Sequence, residues 1–92
     1  MILVTVIVFI KPEKSSDFLN LISDFTQSAK KEKGNLIYNW YMIDYSTFIL
    51  KSVYIDGESF EHHLNTPIII NWEKTLKYKY LEKKEIIEKR II

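Results

Sequence analysis

The chain contains no cysteine, so it has neither a disulfide framework nor a thiolate for catalysis or metal binding. This composition suits a reducing compartment, and we expect a cytoplasmic protein. Only two glycines occur in 92 residues, which leaves no glycine-rich loop to cradle a phosphate or a dinucleotide. The formal net charge of +1 provides no electrostatic reason to expect a nucleic-acid partner.

Hydrophobic runs long enough for a membrane are also missing. The N-terminal apolar run, Ile2 to Ile10, is too short to span a bilayer. No basic residue precedes it and no small-residue cleavage site follows it, so a signal peptide is not expected either. With 47% hydrophobic and 14% aromatic residues, the chain can fill one core, and we expect residues 1–92 to form a single domain.

Hydrophobic periodicity predicts the first four elements. Ile2 to Ile10 is β-branched and apolar on both faces, which is typical of a strand buried on both sides. Apolar residues at helical spacing predict a helix from about Ser15 to a left-handed stop at Gly34. The aromatic and β-branched segments Asn35 to Asp44 and Thr47 to Ile55 predict two strands.

Only Tyr45-Ser46 separates these two strands, which predicts a tight hairpin. The corresponding register places Asn39 opposite Ser52 on one face and Tyr38 opposite Val53 on the other. Asn39 and Ser52 would then share a face, either as polar groups of an apolar cavity or as a cross-strand hydrogen bond at a dimer interface.

The remaining segments predict two helices and a strand. Asp56-Gly57 begins a short helix through Leu64, and Thr66-Pro67 begins the next one. Glu85 to Ile92 is predicted as a last strand, with continuation of the helix as the alternative. The order βαββαβ predicts an α+β, ferredoxin-like fold with an antiparallel sheet. The apolar stripe of the second of these helices consists of Ile69, Trp72, Leu76 and Tyr80.

The predicted sheet has more apolar surface than its helices can cover. Helices on one face leave the other exposed, although the first strand and the hairpin are apolar on both faces. We therefore expect a homodimer that packs sheet against sheet.

Three motifs occur in order along the chain: Lys33-Gly34-Asn35-Leu36-Ile37-Tyr38, Val53-Tyr54-Ile55-Asp56 and His63-Leu64-Asn65-Thr66-Pro67. Together they resemble the antibiotic biosynthesis monooxygenase domain family over nearly the whole chain. The resemblance implies a dimeric α+β barrel with a cavity between sheet and helices. Activities implied by the family are cofactor-free oxygenation of quinols or polyketides, isomerisation of a signalling molecule, and haem degradation.

The chain differs from parts of this family. Ser52 stands where many relatives carry a glutamate. The haem-degrading branch relies on a first-strand asparagine, which is missing here, and on a helix tryptophan, whose position is taken by His63. His62 and His63 project about 100° apart on a helix and form a poor metal pair. We therefore expect no haem, flavin or metal cofactor.

The histidine that matches the family motif is the main catalytic candidate. His63 fits a general base, because imidazole titrates near neutral pH; the alternative is a helix-end histidine bonded to the backbone near Thr66-Pro67. His62 has no counterpart in the motif and is expected to face solvent. Tyr38 and Trp72 are candidates for lining the cavity, with a purely structural place in the core as the alternative.

These observations favour a cofactor-independent monooxygenase acting on a small phenolic, quinol-like or polyketide-like substrate. Two alternatives remain open: a non-catalytic dimer that binds a small molecule, and an isomerase of a small carbonyl compound.

Overall fold

The computed structural model describes residues 1–92. Its strands are β1 (Ile2–Ile10), β2 (Asn35–Asp44), β3 (Thr47–Tyr54) and β4 (Leu81–Ile91). They form one antiparallel sheet in the order β2-β3-β1-β4. The helical elements are a 3-10 turn (Pro12–Lys14), α1 (Ser15–Lys30), α2 (Gly57–Leu64), α3 (Pro67–Asn71), a π-helical segment (Trp72–Leu76) and α4 (Lys77–Tyr80). The predicted ferredoxin-like α+β fold is confirmed.

The helix starts follow the predicted capping residues. The Asp56 side chain accepts a hydrogen bond from the Ser59 backbone N–H at 2.7 Å, which caps α2. Pro67 occupies the first position of α3, where its missing N–H costs nothing. No helix of the structure is both long and apolar enough to span a bilayer.

Two predicted boundaries are wrong by a few residues. β4 begins at Leu81 rather than Glu85, because Leu81 already pairs with Ile10 and the Lys11 N–H bonds the Tyr80 carbonyl at 2.8 Å. α1 ends at Lys30, so Gly34 does not cap it. Gly34 does adopt the expected left-handed conformation, with φ of 87°, but it shapes the turn into β2.

The predicted hairpin register is wrong by one residue. An irregularity between Met42 and Asp44 shifts the ladder, so Tyr38 pairs with Ser52 and Asn39 pairs with Lys51. Because alternate residues of a strand point to opposite faces, the shift separates Asn39 from Ser52. Ser52 is buried beneath the helices, whereas Asn39 is exposed on the other side of the sheet.

The two faces of the sheet differ in what covers them. The face beneath the helices, called the inner face, carries a continuous core in which Phe18 of α1 packs on Trp40, Phe48 and Trp72 at centroid distances of 5.6, 5.1 and 5.8 Å. The opposite, outer face has no helix against it. Side chains in its central rows are apolar except in one polar row. The apolar ones include Leu3, Ile7, Phe9, Ile37, Tyr41, Ile49, Val53 and Ile86.

Candidate functional site

A cavity of about 320 Å³ lies between the inner face and the helices. This volume is near the lower end of the range for small-molecule sites in proteins. Thirteen of its 18 lining residues are hydrophobic, so the interior favours an apolar ligand. Its polar and aromatic lining includes Tyr38, Trp40, Ser52, Tyr54, Phe60, His63, Trp72 and Glu85.

A wider groove of about 670 Å³ between α4 and β4 is a weaker candidate. Charged side chains dominate its lining, and a surface of alternating charges is usually a solvated face. The charged residues are Glu73, Lys77, Lys83, Lys84 and Glu85.

A histidine–carboxylate pair stands at one end of the smaller cavity. His63 Nδ1 lies 2.7 Å and 3.0 Å from the two carboxylate oxygens of Glu32. The side chains of His63 and Glu32 are 8% and 7% exposed, so little water competes for this contact. With Nδ1 facing the carboxylate, the neutral ring carries its proton on Nδ1 and leaves Nε2 as an acceptor for a ligand proton. The pair therefore has the chemistry of an oriented general base.

Three short-range contacts hold His63 in place. Thr66 Oγ1 donates to the His63 carbonyl at 2.8 Å, which fixes the end of α2. The imidazole packs on two aromatic rings of the sheet, with centroid distances of 6.0 Å to Tyr38 and 5.2 Å to Tyr54. The structural alternative expected the His63 ring to bond the backbone near Thr66-Pro67, but the hydrogen bonds of the ring go to the Glu32 carboxylate instead.

The turn that carries Glu32 is fitted closely to α2. A Cβ at Gly34 would lie 2.1 Å from Ser59 Oγ and 2.6 Å from Ser59 Cβ, so any side chain there would push α2 away. Gly34 also accepts a hydrogen bond from the Ile55 N–H at 2.8 Å, which ties the turn to the end of β3. Gly34 therefore lets the Glu32 turn and the His63 helix approach each other.

Burial raises the pKa of the two tyrosines that pack beside His63. Desolvation raises the pKa of Tyr38 above the ordinary tyrosine value; the Trp40 indole opposes this shift and the Glu32 charge adds to it. Burial likewise raises the pKa of Tyr54. Both hydroxyls are therefore neutral at physiological pH and serve as hydrogen-bonding groups rather than bases.

The sequence pattern of the family described as antibiotic biosynthesis monooxygenase matches residues 1–75. The chain belongs to this family. The matched residues extend from β1 to the π-helical segment. They include both His63 and Glu32 and most of the residues that line the cavity. No curated protein sequence matches the chain significantly.

Solved structures share the monooxygenase-family fold. A structure described as an antibiotic biosynthesis monooxygenase superposes with a TM-score of 0.90 at 18% identity, covering 100% of this chain and 98% of that one. A conserved protein from Methanosarcina mazei Go1 gives a TM-score of 0.87 at 23% identity, covering 97% and 89% of the two chains. A Shewanella oneidensis protein gives 0.90 at 12% identity, with coverages of 97% and 87%. At these identities, the likeness concerns the fold.

Four of the five site residues predicted from the sequence meet at the cavity. Tyr38, Ser52, His63 and Trp72 all line it. Asn39 does not, because the corrected register turns it to the outer face. His62 is exposed, in line with its predicted orientation.

Three lining or supporting residues were missed by the sequence analysis. Glu32 lies in a lysine-rich segment that is typical of a helix end, and no local spacing connects it to His63, 31 residues away. Trp40 was assigned to a strand without a role, and its indole nitrogen is buried without a hydrogen-bond partner. Glu85 was predicted as the first residue of the last strand, without a role in the site, but it is half-buried and lines the cavity.

No group of three His, Cys, Asp or Glu side chains comes together in a metal-binding arrangement. His63 is the one imidazole that lines the cavity, and its Nδ1 is engaged by Glu32.

Proposed function

We propose that this chain is a cofactor-independent monooxygenase that oxidises a small phenolic, quinol-like or polyketide-like substrate. The observation that carries the proposal is the buried His63–Glu32 pair beside an apolar cavity. Membership of the antibiotic biosynthesis monooxygenase family supports the reaction class.

The pair supplies the proton chemistry that such a reaction needs. His63 Nε2 removes the proton of a substrate hydroxyl, and Glu32 stabilises the imidazolium that forms. The resulting electron-rich anion passes one electron to O2, and the radical pair then forms a C–O bond at a ring or methylene carbon that bears hydrogen. The peroxide takes back the proton from the His63 imidazolium. Loss of water from the hydroperoxide gives a carbonyl, so one oxygen atom enters the product, the other leaves as water, and the substrate supplies the electrons.

The apolar lining favours this chemistry over simple acid–base exchange with solvent. Hydrophobic side chains keep water from the anion, and in such surroundings the few polar groups act more strongly. The neutral hydroxyls of Tyr38 and Tyr54 beside His63 are donors for the developing negative charge.

Oxygen uptake with a panel of quinols and anthrone-like phenols tests the proposal. His63→Ala should lower turnover by about 10² to 10⁴, the usual contribution of general base catalysis. The control is His62→Ala, which changes the neighbouring but exposed histidine. It should keep turnover within about threefold, since a surface substitution outside the cavity rarely has a larger effect. Equal losses from both substitutions, or none from either, would remove His63 from the mechanism. Ligand binding without oxygen uptake would instead favour a non-catalytic binding protein.

The same preparation tests the expectation of no cofactor. Activity should survive dialysis against a chelator, and the purified protein should be colourless. Stoichiometric haem binding with a Soret band that disappears on reduction in air would favour haem degradation instead.

We also propose that a second copy of the chain covers the outer face. Apolar residues of this face, such as Ile7, Ile49 and Val53, form rows across the central strands with no helix above them. Soluble proteins rarely leave such a face in water, and a two-fold pair of identical faces would bury both.

A further inference from the structure

The end of the cavity that is remote from His63 contains a carboxylate without a charged partner. Two carboxylates line this end, Glu73 and Glu85. The third charged lining residue, Lys89, pairs with Val4 in the row of Ser52 and so lies toward the His63 end. Glu73 accepts a hydrogen bond from Lys77 at 2.7 Å, and Lys89 Nζ lies 5.5 Å from the centre of the Phe60 ring. Glu85 takes part in none of the ion pairs of the chain.

The surroundings of Glu85 make its carboxylate a strong acceptor for a ligand. Burial raises the pKa of Glu85, the Glu73 charge adds to this, and Lys77 and the Trp72 indole oppose it. A partly desolvated carboxylate at neutral pH gains more from a hydrogen-bond donor than one in water does. Apolar residues such as Val8 and Ile87 share the lining here and provide no donor of their own.

A second polar atom in the same cavity also lacks a partner. The indole N–H of Trp40 is buried, and no acceptor completes a hydrogen bond with it. Buried donors are nearly always paired in native proteins; here the Tyr38 hydroxyl is the neighbouring acceptor, and a ligand oxygen in the cavity could take its place. The cavity therefore offers a donor at Trp40 without a well-formed hydrogen bond and, at Glu85, a carboxylate outside any ion pair.

Glu85 and His63 occupy opposite corners of the inner face. His63 packs over Tyr38 and Tyr54, on β2 and β3. Glu85 is on β4 beside Ile86, the partner of Ile7, and so lies close to the level of Val8 and Phe48. The sheet order puts two strand spacings, about 10 Å, between β3 and β4. Along the strands, the row of Ser52 and the row of Phe48 are four residues apart, or roughly 13 Å.

We propose that the cavity selects an elongated, two-ring phenol whose far end carries a hydrogen-bond donor that Glu85 accepts. The phenolic hydroxyl to be ionised lies at the His63 end, and the second donor, a hydroxyl or an amine, lies at the Glu85 end. A one-ring quinol is too short to reach both. This inference rests on the proposed function, since it assigns the substrate class of the same cavity.

Calorimetric titration with two matched ligand pairs tests the inference at neutral pH. In the first pair, 2,6-dihydroxynaphthalene carries the far hydroxyl that 2-naphthol lacks; in the second, hydroquinone is compared with phenol. The wild-type chain should bind the naphthalenediol about tenfold more tightly than 2-naphthol, as expected for a hydrogen bond to a charged acceptor. The one-ring pair should differ by less than about twofold, because neither member reaches Glu85.

Variants of β4 then assign the preference to one side chain. Glu85→Ala should bind both naphthols equally, and Glu85→Gln, which keeps an uncharged acceptor, should retain part of the preference. Glu82→Ala is the matched control, because Glu82 is exposed on β4 and does not line the cavity. A preference that survives in Glu85→Ala, or no binding of either naphthol to the wild-type chain, would overturn the inference.

Oxygen uptake with the same naphthols separates this inference from the proposed function. A Glu85-dependent preference without uptake would leave the binding assignment intact and refute the oxygenase. Oxygen uptake without a Glu85-dependent preference would support the oxygenase and refute the binding assignment.

Discussion

The inner and outer faces of the sheet are built from alternate residues of the same four strands, but they differ in chemistry. The inner face is rich in aromatic residues and is closed by helices, and its polar groups, such as Ser52 and Tyr38, line a cavity. Across the outer face, one polar row separates two apolar rows and is open to solvent. This row consists of Asn39, Lys51, Thr5 and Glu88, in which Lys51 Nζ donates to Thr5 Oγ1 at 3.1 Å.

The difference indicates two separate tasks for one sheet. A cavity needs a few polar groups within an apolar lining, and the inner face has that composition. An interface between copies needs apolar area with a polar pattern that fixes the register, which the outer face provides. Lys51 and Glu88 have opposite charges in one row, so a two-fold pairing with its axis between them would bring complementary charges together.

The largest expected effect is on association through the outer face. Ile49→Asp places a charge in the apolar row of Ile7 and Tyr41 and should convert the proposed dimer into a folded monomer of 11.0 kDa in light scattering. Ile70→Asp introduces the same charge on the helical side, where Ile70 is 37% exposed, and should leave the mass unchanged. A wild-type chain that is monomeric at micromolar concentration would refute the proposal that a second copy covers the outer face.

Adjacent residues of β3 should respond differently to truncation. Phe48→Ala removes a ring that is 1% exposed in the inner core and should cost about 3–5 kcal/mol of the free energy of unfolding. Ile49→Ala, on the outer face, should cost less, and its cost should grow with protein concentration because unfolding is then coupled to dissociation. Urea unfolding at two protein concentrations measures both. An equal, concentration-independent loss would mean that the faces do not differ.

The two glycines of the chain provide a matched test of how the inner-face site is held. Gly34→Ala combines a left-handed backbone with a clash against Ser59 and should cost about 2–4 kcal/mol. Gly57→Ala has nothing within 4 Å of the added carbon and begins a helix, so it should be neutral or slightly stabilising. Thermal unfolding distinguishes them, and a neutral Gly34→Ala would show that the turn can move without disturbing α2.

Element types were predictable because the hydrophobic period differs between helices and strands. The β-branched run of β1 and the stripe from Ile69 to Tyr80 each specify their element locally. The structure follows both, although the π-helical segment Trp72–Leu76 interrupts the single helix that the stripe predicted. The hairpin register was not predictable in the same way. The irregularity between Met42 and Asp44 depends on how the whole ladder pairs, and it moved Asn39 to the other face.

Of the His63–Glu32 pair, only the histidine was predictable from the sequence. His63 belongs to a short local motif, so its sequence neighbours identify it. Glu32 reaches His63 only through the fold, and its charged neighbours Lys31 and Lys33 are typical of a solvated helix end. The resemblance implied a glutamate at the β3 position that Ser52 occupies. Here the carboxylate beside the histidine is that of Glu32, in the α1–β2 turn.

The smallest expected effect is a loss of stability at high pH that originates on the inner face. Burial raises the pKa of Tyr38 and Tyr54 in the folded chain, so their contribution to stability is fully present below the ordinary tyrosine pKa of about 10 and is lost as the pH rises beyond it. At pH 10.5, each tyrosine should remove about 1 kcal/mol or less, because only the unfolded chain ionises there. Urea midpoints at pH 8 and pH 10.5 measure the loss. Tyr38→Phe and Tyr54→Phe should each reduce the difference between the two pH values, whereas Tyr78→Phe, at a ring that is 70% exposed, should not. If the three variants lose stability in parallel with the wild-type chain, the high-pH loss has another origin and these tyrosines are not held neutral by burial.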